Sequence, residues 1–431
     1  MTSKILLAYY GDDFTGSTDA LEFLYKAGLK TVLFMDSPTA ADLAAFPGLN
    51  AYGIAGKTRS LLPAEMKQEL TVSFAQMKAS GVRHIHYKIC STFDSSPTTG
   101  NIGTAIETGI EVLKPKLVPV LGGMPALGRY CVFGNLFAKM GIGSTGEIYR
   151  LDRHPSMRNH PVTPATESDL RLHLAQQTDL KTGLIDIVQN DTVATSDWVQ
   201  LTQDPVVLLD ASTPQHISKI GVWLDTNLPA PVFSVGSSGI EMGLGTHWND
   251  LALFTPVSED IVVEKATPLL VISGSCSPVS LAQIEWATQN GFTELIIDAY
   301  EAAATGNISP TLQQELLDLL QQGKHVILHT GLKSGPNLSS SSLGTALGLA
   351  AKNAMELLGL KRLVVAGGDT SSYAARALEI KAVSLLKPLV TGAPLCTVIS
   401  DNEKINGLEI NFKGGQVGAD NYFETLVNGA L

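Results

Sequence analysis

The sequence predicts an α/β protein of two domains, each a mostly parallel sheet flanked by helices, with the active site in the cleft between them. Three observations predict it. Short apolar runs alternate with helix-period segments along most of the chain, the rhythm of successive βα units. The rhythm loosens between residues 244 and 267 and then restarts, dividing the chain into 1–245 and 246–431. Several strand-to-helix junctions carry Gly, Ser, Thr or Asp, and open α/β sheets bind small molecules at that edge.

Taken in order, the first half offers candidate strands at residues 4–10, 31–34, 50–55, 84–88 and 116–121. Between them, residues 17–26 present Leu21, Phe23 and Leu24 on a helical face. Residues 63–79 begin with Pro63, suited to a first helical turn, and residues 100–113 form another helix. A helix at 167–177 and strands at 183–188, 206–209 and 232–235 follow, the last running into Gly236-Ser237-Ser238-Gly239. The second half continues with strands at 269–273, 294–299, 326–330, 362–366 and 408–412. Its helices fall at 279–290, 311–321, 342–358 and 420–427.

The chain has 431 residues, 44% hydrophobic and 16% charged, a globular composition. A net charge of -11 without a long basic run excludes general nucleic-acid binding, while leaving room for a local cationic pocket. Cys90, Cys131, Cys276 and Cys396 are scattered, which points to reduced thiols and to no zinc site. No metal-binding residues are expected. Met1 to Lys4 lead directly into a strand, so the sequence predicts a cytoplasmic protein without a leader peptide. The most apolar stretch, 117–137, contains Pro119, Gly122, Gly123, Pro125 and Arg129 and predicts no membrane span. The oligomeric state is not fixed by the sequence, and a homodimer stays open.

The first strand ends in Gly11-Asp12-Asp13-Phe14-Thr15-Gly16. Two adjacent carboxylates repel, so burying them calls for a cation, a metal or a hydroxyl to engage. A helix cap at Asp13 or Thr15 accounts for one acid and leaves the other unexplained. Asp12 and Asp13 are therefore the catalytic candidates, their side chains diverging, with Asp13 favoured as the residue nearer the helix. A dehalogenase-type phosphatase would need a nucleophilic Asp where Gly11 stands.

Gly56-Lys57-Thr58 resembles the end of a phosphate-binding loop, but Ala51 occupies the first Gly position and residues 59–63 intervene before the helix. Lys57 and Arg59 instead fit a substrate carboxylate just past a strand end. In the segment 86–95, Lys88 supplies a cation, and Ser91 and Asp94 can meet substrate hydroxyls. His84 and His86 alternate on one strand face and read as core. Asn101 and Gly103 open a helix able to cap the same pocket. The segment 150–164 gathers Arg153, His154, Arg158 and His160 among prolines, either as a rigid surface loop or as a cationic lining.

Three glycine turns in the second half share one design. Ser273-Gly274-Ser275-Cys276-Ser277, Gly367-Gly368-Asp369-Thr370-Ser371-Ser372 and Gly414-Gly415-Gln416-Val417-Gly418 each follow a strand and precede a helix. Small residues let a ligand approach the backbone, and helix N-termini offer N–H groups to an anion. Ser273, Ser275, Ser277, Gly367, Gly368, Asp369, Thr370, Ser371, Gly414, Gly415 and Gly418 are the nucleotide-binding candidates.

Asp-Asp-Phe-Thr-Gly early, His-Pro-Val-Thr-Pro in the middle, Ser-Gly-Ser-Cys-Ser-Pro and Gly-Gly-Asp-Thr-Ser late, and Lys-Gly-Gly-Gln-Val-Gly near the end occur in that order. In this the chain resembles the four-carbon acid sugar kinase family. The resemblance implies an N-terminal domain for an acid sugar and a C-terminal domain for ATP. It also implies Mg2+ as cofactor and phosphorylation of a terminal hydroxyl of erythronate, threonate or 3-oxo-tetronate-like acids. Carried over, the substrate residues fall on Asp12, Asp13 and the turns at Arg59 and Lys88, and the ATP residues on the three glycine turns. The segment around Lys88 departs from the family's Lys-Lys-x-Asp-Ser-Thr-x-Arg-Gly-Asn pattern: the Arg is missing and Cys90 replaces a cation. This variant is similar to the branch acting on 3-oxo-isoapionate, a branched acid from apiose breakdown. Two other classes compete: a nicotinamide-dependent sugar-acid oxidoreductase, which lacks a G-x-G-x-x-G fingerprint here, and a non-catalytic sugar-acid sensor, for which the acid pair has no use.

Overall fold

The computed structural model describes residues 5–140, 146–160, 162–257, 262–275, 277–331, 340–415 and 417–429; the side chains of Ser340 and Asp369 also lie outside this set. The chain divides into two compact units, Met1–Val32 with Ser37–Val257, and Leu33–Asp36 with Ser258–Leu431.

The first unit follows the predicted rhythm. It contains β1 (Leu7–Gly11), α1 (Phe14–Lys26), β2 (Thr31–Phe34), α2 (Ala40–Ala44), β3 (Ala51–Ala55), α3 (Pro63–Ala79), β4 (His84–Lys88), α4 (Ile102–Leu113) and β5 (Val118–Leu121). A short antiparallel sheet follows, formed by β6 (Arg129–Val132), β7 (Asn135–Lys139) and β8 (Ile148–Arg150). The unit closes with α5 (Leu170–Ala175), β9 (Thr182–Ile185), α6 (Ile187–Thr192), β10 (Val206–Leu209), α7 (Pro214–Thr226), β11 (Val232–Gly236) and α8 (Gly239–Asp250). Its main sheet runs β3-β1-β4-β11-β5-β10-β9, all parallel. Strands β1, β3, β5 and β11 are buried along their whole length, which is why they read as largely apolar runs. Helices α7 and α8 cross so closely that a Cβ on Gly221 would stand 2.0 Å from the Gly243 carbonyl oxygen; only glycine permits that packing.

The second unit contains β12 (Leu270–Ser273), α9 (Pro278–Gln289), β13 (Phe292–Ile296), α10 (Ala299–Thr305), α11 (Pro310–Gln321), β14 (His325–His329), α12 (Ser340–Leu358), β15 (Arg362–Ala366) and α13 (Gly368–Ala377). After these come β16 (Ala382–Val390), β17 (Ala393–Ile399), β18 (Glu409–Lys413) and α14 (Tyr422–Asn428). Strands β13-β14-β12-β15-β18 are parallel, and β17 and β16 extend the sheet antiparallel. The end of β2 joins this unit, Leu33 and Phe34 pairing with Val383 and Ala382 of β16. Val271, Val364, Ile327, Leu395 and Phe423 belong to its core.

The α/β class is as predicted, with local corrections. The strand expected at 183–188 stops at Ile185, because Asp186 accepts from Gln189 N and caps α6. The strand expected at 294–299 stops at Ile296, because Asp298 caps α10. The sheet β6–β8 and the hairpin β16–β17 were not anticipated. Among the described residues no helix is long and apolar enough to cross a membrane. Cys90 and Cys131 are free thiols; Cys276 lies outside the described residues.

Candidate active site

At the carboxyl edge of the first sheet, strand register brings four chain segments together. Gly11 is level with Ala55 on β3 and with Lys88 on β4, and Lys88 is level with Gly236 on β11. The turns leaving these strands therefore meet. Arg59, in a 3-10 turn after β3, reaches back to the acid pair. Its Nε and Nη2 donate to Asp12 Oδ2 and Oδ1 at 3.2 and 3.0 Å, and its Nη1 lies 2.9 Å from Asp13 Oδ2. The sequence predicts side chains that diverge; instead one guanidinium holds both carboxylates.

Their chemistry nevertheless differs. Asp13 caps α1, its Oδ1 accepting from Gly16 N at 2.8 Å and its Oδ2 from the Thr15 hydroxyl at 2.7 Å. Burial works against its charge, but Arg59, the Thr15 hydroxyl, Lys88 and the Gly16 N–H outweigh burial and hold its pKa below the usual carboxylate value. Asp12, 3% exposed, lacks the cap; burial, together with the charge on Asp13, lifts its pKa to about 6 against the pull of Arg59 and Lys88.

Lys88 is buried, its Nζ donating to the Ile89 carbonyl at 2.9 Å and standing 3.5 Å from Asp19 Oδ2. Glu241, in the first turn of α8, is fully buried, and its carboxyl oxygens meet no hydrogen-bond partner on another described residue; desolvation raises its pKa to about 8. Its Oε1 lies 3.7 Å from His86 Nε2. His86 Nδ1 faces the Ser234 carbonyl at 3.1 Å, and burial drops the pKa of His86 to about 3, so Nε2 is an acceptor turned toward the protonated acid. Sequence reasoning did not find Glu241 or Asp19.

The remaining substrate candidates divide. Ser91 Oγ accepts from Arg129 Nε at 3.3 Å, and Asp94 accepts from the Thr92 hydroxyl at 2.8 Å. Between them Phe93 holds φ at 55°, a left-handed conformation uncommon for a bulky residue. Three candidates are not brought to the acid pair as ligand groups. Lys57 is exposed and paired with Glu69 at 3.9 Å; Arg153, 64% exposed, pairs with Asp152 at 3.4 Å. Asn101 is occupied as the α4 cap, accepting from Thr104 N at 2.6 Å and donating to the Pro97 carbonyl at 3.1 Å. His154 is buried, with Nδ1 accepting from Ser156 N and Met157 N.

In the second unit, β12, β15 and β18 are adjacent, so their three glycine turns leave side by side. Ser277 caps α9 and its hydroxyl bonds the Gly415 carbonyl, joining the first turn to the third. The hydroxyl of Ser280 donates to Ser275 Oγ at 3.0 Å, Ser273 Oγ faces Ser275 N at 3.4 Å, and the Ser371 hydroxyl closes on the Gly367 carbonyl at 2.7 Å. Gly367 holds φ at 118°, and a Cβ on Gly274 would stand 2.3 Å from Thr370 Oγ1. Gly418 also holds a positive φ, 91°, and Gly414 and Gly415 lie partly exposed. Gly368 opens α13; the Asp369 side chain and Gln416 lie outside the described residues. Beneath the turns sits Lys413, fully buried, donating to Ser280 Oγ at 3.1 Å and the Gly414 carbonyl at 3.0 Å, with its Nζ 5.7 Å from the Tyr422 ring. Desolvation lowers its pKa to about 7. Among the described residues no group of His, Cys, Asp and Glu side chains could hold a metal.

Comparison with known proteins agrees with this division of labour. Residues 7–244 match a family described as a sugar-binding N-terminal domain, and residues 270–423 one described as a nucleotide-binding C-terminal domain. The chain is 38% identical to a 3-oxo-isoapionate kinase of Paraburkholderia graminis, over 99% of this chain and 95% of that protein. It is 28% identical to a 3-oxo-tetronate kinase of Cupriavidus necator, covering 98% of this chain and 97% of that one. Two crystal structures share the fold. One, from Salmonella typhimurium LT2, has a TM-score of 0.74 at 23% identity and covers 97% of this chain and 98% of that one. The other, from Haemophilus influenzae, has a TM-score of 0.71 at 20% identity with the same coverage.

Proposed function

The chain belongs to the four-carbon acid sugar kinase family, and from that premise we propose that it is an ATP-dependent kinase phosphorylating a terminal hydroxyl of a branched sugar acid of the 3-oxo-isoapionate type. The observation that carries the kinase reading is the cradle of three hydroxyl- and glycine-lined turns at the ends of β12, β15 and β18, with Lys413 beneath it. Backbone N–H groups, Ser and Thr hydroxyls and a buried ammonium are donors suited to phosphate oxygens. The relative named 3-oxo-isoapionate kinase supports the branched acid over the unbranched ones.

In this mechanism Asp12 takes the proton of the substrate's primary hydroxyl as that oxygen bonds the γ-phosphorus, and ADP leaves with the electron pair of the broken P–O bond. Asp12 suits the role better than Asp13, since its pKa of about 6 lies close to working pH while Asp13 is committed to capping α1. Arg59 fixes the orientation of the Asp12 carboxylate. Mg2+ would travel with the phosphates and spread their charge; a metal carried largely by its nucleotide fits a chain whose described residues form no metal cage. With ATP as donor, the cytoplasm is the proposed compartment.

The test is ADP release with ATP and Mg2+ against 3-oxo-isoapionate, 3-oxo-tetronate, erythronate and threonate. The branched acid is expected to give the highest kcat/KM. A tenfold preference for an unbranched acid would reject the branched substrate, and no ADP release with any of them would reject the kinase.

A further inference from the structure

We propose that Arg129 is the group that binds the substrate's carboxylate, at a subsite bordered by Ser91, Asp94 and His154. This rests on the sugar-acid kinase reading above.

Four cations are buried among the described residues: Lys88, Arg129, Arg362 and Lys413. Lys88 faces Asp19, and Arg362 faces Glu409. Arg129 and Lys413 have no carboxylate within ion-pair distance among the described residues, and they lie one in each unit. A buried charge without a counter-charge is costly, and a guanidinium does not escape the cost by losing its proton. Such a residue fits a protein whose ligand brings the missing charge. In the second unit that ligand is a polyphosphate; in the first it is an acid.

Several other cations of the first unit already face an acid. Arg59 is shared between Asp12 and Asp13, Arg83 pairs with Asp225, Arg150 with Asp152 and Arg171 with Asp169. The sequence placed the substrate carboxylate at Lys57 and Arg59, with Lys88 as a further cation, and each of the three faces an acid of the protein itself.

Arg129 is also held in place. Its Nη1 donates to the carbonyls of Leu127 at 2.9 Å, Gly128 at 3.4 Å and Lys139 at 3.0 Å, and its Nε to Ser91 Oγ. These are neutral acceptors, so the charge stays uncompensated, and Nη2 makes no hydrogen bond among the described residues. The Lys139 carbonyl also faces His154, which ties the proline-rich loop to the guanidinium. Asp94 and Asp19 feel this charge from beyond ion-pair distance. A guanidinium held at Nε and Nη1 keeps the two N–H groups of Nη2 for a carboxylate oxygen.

The test uses the full chain. Acid binding without nucleotide is measured by calorimetry, and kcat and KM are compared for the acid and for its neutral analogue with CH2OH in place of the carboxylate. Arg129→Met is expected to weaken acid binding by about 100-fold, leave ATP affinity unchanged and pull the acid-to-neutral ratio of kcat/KM toward one. Arg129→Lys should fall between. If Arg129→Met fails to fold, Ser91→Ala keeps the guanidinium but frees Nε, and is expected to raise the acid KM several-fold with a smaller change in kcat. The proposal is overturned if the variant that folds keeps wild-type acid affinity, or if the wild type uses acid and neutral analogue equally. Acid binding that depends on Arg129 without ADP release would instead leave this subsite standing and reject the kinase.

Discussion

Asp12 and Asp13 share one guanidinium, yet burial and capping assign them different work. Asp12→Asn keeps size and hydrogen bonding to Arg59 but cannot accept a proton, so turnover should fall by about two to four orders of magnitude with ATP affinity unchanged. Asp13→Asn should mainly cost stability, about 1 kcal/mol from a weakened cap, with a smaller loss of turnover. The wild-type profile of kcat/KM should rise with pH through about 6, because the base works only when ionised. Near-normal turnover in both variants would make the pair structural. Glu241 carries a second prediction. Its folded pKa of about 8 lies above its ordinary value, so the folded state holds a proton that the unfolded chain has released between about pH 4.5 and 8. Its contribution to stability is therefore present at low pH and is lost as pH rises through 8. Glu241→Gln removes that proton linkage. Unfolding free energies at pH 5 to 9 should show the variant gaining on wild type as pH rises; parallel curves would mean that Glu241 is ionised in the fold.

At the scale of elements, the glycine turns make the nucleotide site a property of strand ends rather than of one motif. Lys413→Met should weaken ATP binding by about tenfold or more and flatten its pH dependence. In the wild type, Lys413 loses its charge as pH rises through about 7, so ATP binding should weaken over that range and take up a proton near pH 7. Gly415→Val adds a Cβ that would stand 3.1 Å from Ser275 Oγ and two methyl groups beyond it, and should block the cradle without lowering the melting temperature by more than a few degrees. Normal ATP affinity in both variants would place the nucleotide elsewhere. The same elements show what was legible in the sequence. Helix α3 and strand β15 carry their bounds openly, through Pro63 at the first turn and the apolar run from Leu363 to Ala366. The acid pair and the three turns were legible because their residue types are unusual at strand ends. Arg129 was not: it sits in an apolar stretch with Pro and Gly, and only the left-handed turn at Gly128 and the pairing of β6 with β7 bring it to Ser91. Glu241 and Lys413 were equally hidden, since a sequence does not say that a charged residue is buried. Lys57 misled for the opposite reason, its position past a strand end suiting a ligand while its side chain turns to Glu69.

The whole molecule sets a condition on both anions it is proposed to bind. A chain of net charge -11 repels an acid and a nucleotide at long range, so affinity must come from short-range, desolvated contacts. Buried cations are screened weakly by salt, whereas repulsion across the surface is screened within a Debye length of about 8 Å at physiological ionic strength. The two effects have opposite signs in a titration with salt. If Arg129 and Lys413 carry the anions, raising NaCl from about 20 to 200 mM removes repulsion and leaves attraction largely intact. KM for the acid should then stay constant or fall slightly. If exposed cations such as Lys57 and Arg153 carried the substrate, the same salt would screen the attraction and KM would rise severalfold. Steady-state KM values for acid and ATP across that range, in wild type and in Lys57→Ala, decide between the two. A steep rise in wild type that disappears in Lys57→Ala would move the carboxylate site out to the surface loop after β3.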